Sequence, residues 1–442
     1  MFPLDKDTLE GTLRTLEIPD ITSATIRQIV AVATNLEEKA GEEIIHLEMG
    51  NPGLPAEEIG IEAEIEALRN GVANQYPNIS GIKEFKDNGS RFIKAFLDVD
   101  INPNGIVPTV GSMQGSFTMM LLLKMRIPGK DTLLMLFPGF PAQRHQAKLL
   151  GMNLEGFDIY NYRGKKLEAK LEEYFKTGRI TAMIYSNPNN PAWTNLTDEE
   201  FEIIGRLATK YDVIVLEDLA YMGMDFRQDF GHPFVAPYIS TVAKYTDNYV
   251  LLISASKIFS YAGQRIAMVC MSDAVYHRHY ETFESFYEMP QFGDAYIFGV
   301  LYCASSGTTH SAQHAMAKML GMAADGKLKF VEHTREYGRR AGLIKKILAD
   351  NGFEIVYKLD GEDPIADGFF LTATYGDMTG EELQKELLRY GISAISLPST
   401  GSKQQGVRIT VSTVSDDRHF EILEERMKKF DSDHLNLGNK GN

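Results

Sequence analysis

A lysine attacks a carbonyl only as its neutral amine, and Lys257 stands where that form is favoured. It follows the apolar run Tyr249–Ser254 and is flanked by Ser254 and Ser256. Desolvation and nearby cations there would lower its pKa and suit it to Schiff-base chemistry. A lysine after a strand is more often a solvated end, so by itself Lys257 decides little. Asp218 closes a second apolar run, VIVLED. An acid in that position needs a cation or hydrogen-bond donors, and the ring nitrogen of a pyridinium cofactor would provide one while making the ring an electron sink. A helix N-cap or a structural ion pair would satisfy the acid equally well. Gly111 and Ser112 precede the helical pattern SFTMMLLLKM, so backbone N–H groups and the positive dipole end would face a phosphate, to which Arg265 could add a bidentate pair. An ordinary strand-to-helix turn has the same appearance.

These residues share one kind of position, the end of a predicted strand. Between Ile106 and Met271 the runs IVPTV, TLLMLF, TAMIYS, VIVLED, YVLLISAS and RIAMVCM recur, bounded by Gly, Pro, Asn or charge. Helical patterns separate several of them: in Asp198–Tyr211, Phe201, Ile204, Leu207 and Ala208 recur at three- and four-residue spacing. Strands alternating with helices predict an α/β fold with a mostly parallel sheet covered by helices, which places ligands beyond the carboxyl ends of its strands. After a helical stretch from about Ser311, the runs FEIVYK, GFFLTATY, GEELQKELLRY, ISAISLP, VRITVS and DDRHFEILEERMKKF describe a smaller α+β domain. The helix pattern from Thr22 to Lys39 joins it. The predicted division is a large domain over 47–320 and a small one over 1–46 and 321–442, its tail fraying from about 431 where the apolar period stops.

Composition narrows the classes. The 442 residues are 44% hydrophobic and 24% charged, with a net charge of −15, which disfavours a surface that tracks nucleic acid or an anionic membrane. Cys270 and Cys303 are too few for a disulfide framework and fit a reducing compartment. No basic segment with an apolar run opens the chain, and no eighteen apolar residues are consecutive, so a cytoplasmic, soluble protein is expected. GMAADGKL at Gly321–Leu328 nearly matches a phosphate-binding P-loop, but Leu328 replaces the required Ser or Thr and a helix pattern precedes it where a strand is needed. His310 and His314 have the spacing of a zinc pair without the catalytic Glu between them, and Arg278 separates His277 from His279, so no metal is expected.

The motifs SASK at Ser254–Lys257 with Arg265 eight residues on, EDLAY at Glu217–Tyr221 and NPNNP at Asn187–Pro191 together resemble the fold-type I aminotransferases of the class I/II group, which depend on pyridoxal 5′-phosphate (PLP). The resemblance runs from about Ile21 to Phe430 and implies the three-layer PLP-transferase fold. It implies that Lys257 holds PLP as an internal aldimine and later shuttles the proton between the amino acid Cα and cofactor C4′. Asp218 would pair with the pyridine nitrogen, Tyr221 and Asn190 with the 3′-oxygen, and Phe140 would stack on the ring. Ser112, Met113 (through its backbone), Ser254 and Arg265 would hold the phosphate. Arg408, in QGVRITVS, would fork onto the substrate α-carboxylate, with Gly50 of MGNPGLP approaching it. Tyr76 resembles the family tyrosine that reaches the neighbouring subunit's phosphate, which implies a homodimer with shared active sites.

The chain departs from this family at two places. Ala192 and Trp193 follow NPNNP where Thr and Gly are usual, putting the only tryptophan where a tight turn favours glycine. Ala267 stands where a glycine is common after the Arg265 motif. The aromatic segment Tyr276–Ser306 matches no motif and is expected to line the side-chain pocket. The expected activity is ping-pong transfer of an amino group between an amino acid and a 2-oxo acid. A β-lyase or decarboxylase would use the same Lys and Asp, and a non-catalytic PLP-binding regulator is disfavoured by the acidic charge.

Overall fold

The computed structural model describes residues 2–438, which form two compact units. One comprises 54–189 and 195–334; the other comprises 2–53, 190–194 and 335–438. The changeovers at 53/54 and 334/335 replace the 46/47 and 320/321 expected from sequence, and the five residues Asn190–Thr194 pack with the second unit.

The larger unit is built on seven strands: β1 (Ile106–Thr109), β2 (Thr132–Phe137), β3 (Asn153–Asp158), β4 (Ile180–Ser186), β5 (Ile214–Asp218), β6 (Tyr249–Ser254) and β7 (Ala267–Met271). Their order is β1-β7-β6-β5-β4-β2-β3, with β7 antiparallel to both neighbours and the other pairings parallel. Six carboxyl ends therefore share one edge with the amino end of β7. Six of them are buried along nearly all their length and read as continuous apolar runs, which made them visible in the sequence; the edge strand β3, exposed at Asn153 and only partly buried over 154–156, was not among the predicted runs. Against one face pack Met119, Met120, Leu122 and Leu123 of the helix Gly111–Met125. The helix Asp198–Tyr211 has the bounds its periodicity predicted. Thr197 caps it, receiving Glu200 N–H while the Glu200 carboxylate receives Thr197 N–H.

The aromatic segment is a correction. Phe283, Phe292 and Tyr296 are buried in the core beneath the sheet. Tyr296 bonds Thr118 at 3.1 Å, Tyr280 lies under the Arg126 guanidinium, and Tyr287 reaches Met125. These contacts fall on the middle and carboxyl end of helix Gly111–Met125, away from its phosphate-facing turn. Apolar burial accounts for these residues, whereas Phe286, Phe298 and Tyr302 of the same segment are exposed.

In the second unit, four antiparallel strands run in the order Ile395–Ser396, Val407–Thr410, Phe370–Tyr375, Phe353–Ile355. The N-terminal helices Lys6–Thr15 and Ile26–Ala40 bury Leu9, Leu13, Ile29, Val32 and Leu36 together with Leu388. The last helix, Asp417–Gly438, overturns the expected fraying over 431–438; the remainder of that tail, 439–442, lies outside the described residues. Polar anchors hold it where apolar period is lacking: Tyr375 Oη donates to Asp431 at 2.8 Å, Tyr390 Oη to Asp433 at 2.9 Å, and His434 stacks on Phe430.

Candidate functional site

The common strand edge of the larger unit collects most of the residues singled out by sequence. Lys257 is the third residue of a single helical turn, Ala255–Ile258, begun by Ser254, whose Oγ accepts from Ser256 N–H at 3.2 Å. Arg265 precedes β7 and Gly111 follows β1, strands that are adjacent in the sheet. Gly111 has φ +69°, a backbone that favours glycine, and a Cβ there would lie 2.4 Å from Arg265 Nη2, so a larger residue would push the guanidinium aside. Arg265 is itself left-handed, φ +52°, with Nη1 donating to Ala262 O at 2.8 Å. The helix's first N–H groups, including those of Ser112 and Met113, have no partner within the helix and open toward the same place. A guanidinium, a hydroxyl and a helix N-terminus make a receptor for a doubly charged phosphate. Gly111→Ala is expected to displace Arg265 and weaken PLP binding about tenfold, read by titrating the cofactor-free protein with PLP.

Asp218 ends β5 and is 6% exposed. Both its hydrogen-bond donors are neutral: Gln143 Nε2 at 3.0 Å and Ala220 N–H at 3.2 Å. Burial outweighs them and lifts the carboxyl from its ordinary value of 3.8 to about 6. A buried acid supported only by neutral donors favours a cation, such as the protonated ring nitrogen of a pyridinium cofactor would be. The neighbouring Glu217 points to the opposite face of the strand, where Thr241 Oγ1 and Val242 N–H donate to it and burial lifts it to about 8. Tyr221, three residues after Asp218, is buried, and Phe140 is half-buried at the N-cap of the helix Pro141–Leu149. Asn187 N–H donates to Asp218 O, tying the end of β4 to that of β5. Tyr76 is 91% exposed.

Two functional residues escaped the sequence reading. Gln143 lies three residues after Phe140 on one helix face, a spacing that could have singled it out. Glu64, 8% exposed in the helix Glu58–Arg69, accepts from Tyr261 Oη at 2.6 Å and Ser311 Oγ at 2.9 Å. Tyr261 is midway between Lys257 and Arg265, so Glu64 anchors the loop that carries both.

The second unit holds its own set. Arg408, 1% exposed on Val407–Thr410, donates from Nη1 to Asn190 Oδ1 at 3.3 Å and from Nη2 to the Glu48 carbonyl, and its guanidinium lies 4.6 Å over the Phe370 ring centre. Gly50 lies against Phe369 and Phe370, where an added Cβ would be 3.4 Å from each ring. Beyond it, Ser412 Oγ donates to Asn51 O, and Arg340 Nη1 donates to Ser412 O at 2.5 Å, fastening the loop to the strand that bears Arg408.

His310 and His314 stack on one helix, 5.4 Å between ring centres, and Gly326 (φ +71°) follows the helix end at Ala324. Among the described residues no group of three or more His, Cys, Asp or Glu side chains could hold a metal, and no helix is long and apolar enough to cross a membrane.

Comparison with known proteins adds the following. The family model described as aminotransferase class I and II matches residues 42–425. A probable aspartate aminotransferase of Methanocaldococcus jannaschii is 24% identical over 402 residues, covering 90% of this chain and 95% of the relative. Glutamate-pyruvate aminotransferase AlaC of Escherichia coli is 29% identical over 238 residues, 52% of this chain and 54% of the relative. A double mutant of Thermus thermophilus aspartate aminotransferase superposes with a TM-score of 0.74 at 18% identity, covering 92% of this chain and 96% of that one, a likeness of fold.

Proposed function

This chain belongs to the class I and II aminotransferases, and on that premise we propose how its own residues carry out PLP-dependent amino-group transfer. Bound PLP supplies an aldehyde and an electron-withdrawing pyridinium ring, which together accommodate the electrons released when an amino acid loses its Cα proton. Asp218, as carboxylate, keeps the proton on the ring nitrogen. Gln143 holds Asp218 in place without competing for charge, because an amide is neutral. Lys257 would carry the cofactor at rest and, once its amine is free, would be the base that takes the substrate Cα proton and gives it back during transfer. Tyr221 Oη and the Asn190 amide serve the 3′-oxygen, Phe140 covers one ring face, and Ser112, the Met113 N–H, Ser254 and Arg265 hold the phosphate. Arg408 forks onto the α-carboxylate beside Gly50.

The observation that carries this reading is Asp218: a buried acid between neutral donors, on the strand edge that also bears the Lys257 turn. Full exposure of Tyr76 supports its reach to a second copy, hence a homodimer with shared active sites. Two free cysteines suit a reducing cytoplasm. The substrates are an amino acid and a 2-oxo acid; relatives named for aspartate and for glutamate and pyruvate mark the donors and acceptors to assay first.

The test is a panel of amino acids and 2-oxo acids with the PLP-loaded protein. Transfer is expected only when an acceptor is present, with parallel double-reciprocal lines. Ammonia and a 2-oxo acid formed from one amino acid without acceptor would assign a lyase instead.

A further inference from the structure

The loop Asn190–Thr194 carries the chain's only tryptophan in a left-handed backbone conformation, φ +63°. For a bulky residue that conformation is an outlier which the surroundings must enforce. They do so closely. Trp193 is fully buried, and Gly368 makes room for it: a Cβ at Gly368 would fall 2.1 Å from Trp193 Cε2. The indole meets Phe370 edge-on, with centroids 6.1 Å apart and planes at 72°. Phe370 in turn carries the Arg408 guanidinium on its face, 4.6 Å from the ring centre. Trp193, Gly368, Phe370, Arg408 and Asn190 all belong to the same unit.

A guanidinium presents its donors in one plane, and a carboxylate that accepts two of them must lie in that plane. The orientation of the plane thus governs binding. One face of Arg408 rests on Phe370, which fixes its tilt only while Phe370 keeps its own. Trp193 fills the space at the edge of that ring. With glycine at this position, Phe370 would border a void the size of an indole, and the guanidinium above it would lose its fixed tilt.

We propose that Trp193, seated against Gly368 and braced on Phe370, is a positioning residue for Arg408, fixing the plane onto which the substrate α-carboxylate docks. The proposal rests on the reading of Arg408 as the carboxylate receptor. Its effect falls on substrate binding; proton transfer and the cofactor's phosphate and ring-nitrogen contacts are left to the other unit's residues, Asn190 being the one cofactor contact in its own unit. The position of the indole also makes it a reporter, since a carboxylate on Arg408 neutralises a cation one ring away from the only tryptophan.

The experiment uses the PLP-loaded protein with acetate as probe and sodium chloride as the ionic-strength control. In the wild type, acetate changes tryptophan emission saturably and chloride does not. Phe370→Leu keeps the reporter and is expected to raise the acetate midpoint about five- to tenfold. Trp193→Gly is expected to raise KM for the amino donor about tenfold with kcat within about twofold, Trp193→Phe to recover most of that loss, and PLP absorbance to stay unchanged in both. Arg408→Gln separates the two levels. If it keeps the acetate response, Arg408 is not the carboxylate receptor, and both the reading and the proposal fall. If it abolishes the response while Phe370→Leu and Trp193→Gly leave midpoint and KM at wild-type values, or while either tryptophan variant lowers kcat in step with kcat/KM, the brace is overturned and Arg408 keeps its role.

Discussion

Lys257→Ala abolishes amino-group transfer, lowering the rate by about five orders of magnitude or more, because the variant loses the group that carries the proton between Cα and C4′. Cofactor binding survives. The proposed phosphate receptor consists of Ser112, the Met113 N–H, Ser254 and Arg265, and none of its contacts uses the amine. The two quantities are separable: single-turnover transfer reports the lysine, and PLP content after gel filtration reports the receptor. Retained transfer in the variant would show that another base serves Cα; loss of PLP together with activity would show that the amine is a principal anchor of the cofactor.

Asp218→Asn tests the other half of the site, and two opposite effects are expected of it. Transfer falls about a hundred- to ten-thousandfold, since a neutral amide no longer keeps the ring nitrogen protonated. Stability of the cofactor-free protein rises. Asp218 has a folded-state pKa of about 6 against an ordinary value of 3.8, so the folded protein binds this proton more tightly than the unfolded chain does. The resulting penalty is complete above pH 6 and shrinks as pH falls toward 4. Less the one hydrogen bond that an amide forfeits, the variant gains about 2 kcal/mol at pH 7, and the gain vanishes near pH 4. Melting the cofactor-free proteins across that range checks the sign. A variant less stable at pH 7 would mean that Asp218 is stabilised as an anion by groups other than Gln143 and Ala220. The gain and the loss have one origin: an acid kept costly in the empty site is satisfied when the pyridinium arrives.

Much of this site was legible in the sequence because its residues lie at the ends of buried strands, and such strands are written as unbroken apolar runs. Lys257, Asp218 and Gly111 could be placed from that pattern, and the helix Asp198–Tyr211 from its three- and four-residue spacing. What stayed hidden depends on contacts between distant parts of the chain. Gln143 meets Asp218 across 75 positions and Tyr261 meets Glu64 across 197, separations that no local period encodes. Trp193 read as a disturbance of a glycine turn, because its compensation, Gly368, lies on another element. The aromatic run Tyr276–Ser306 looked like a pocket wall because aromatic composition describes a core equally well. The last helix outran its apolar pattern for a similar reason: Tyr375 and Tyr390 hold Asp431 and Asp433 from elsewhere in the unit.

The most direct test of the central claim, that Lys257 is the residue bearing PLP, is borohydride reduction of the PLP-loaded protein followed by peptide mass mapping. The visible absorbance band is expected to disappear on reduction, with a phosphopyridoxyl mass on the peptide containing Lys257 and on no other lysine. The label on a different lysine, or PLP removed intact by dialysis after reduction, would contradict it.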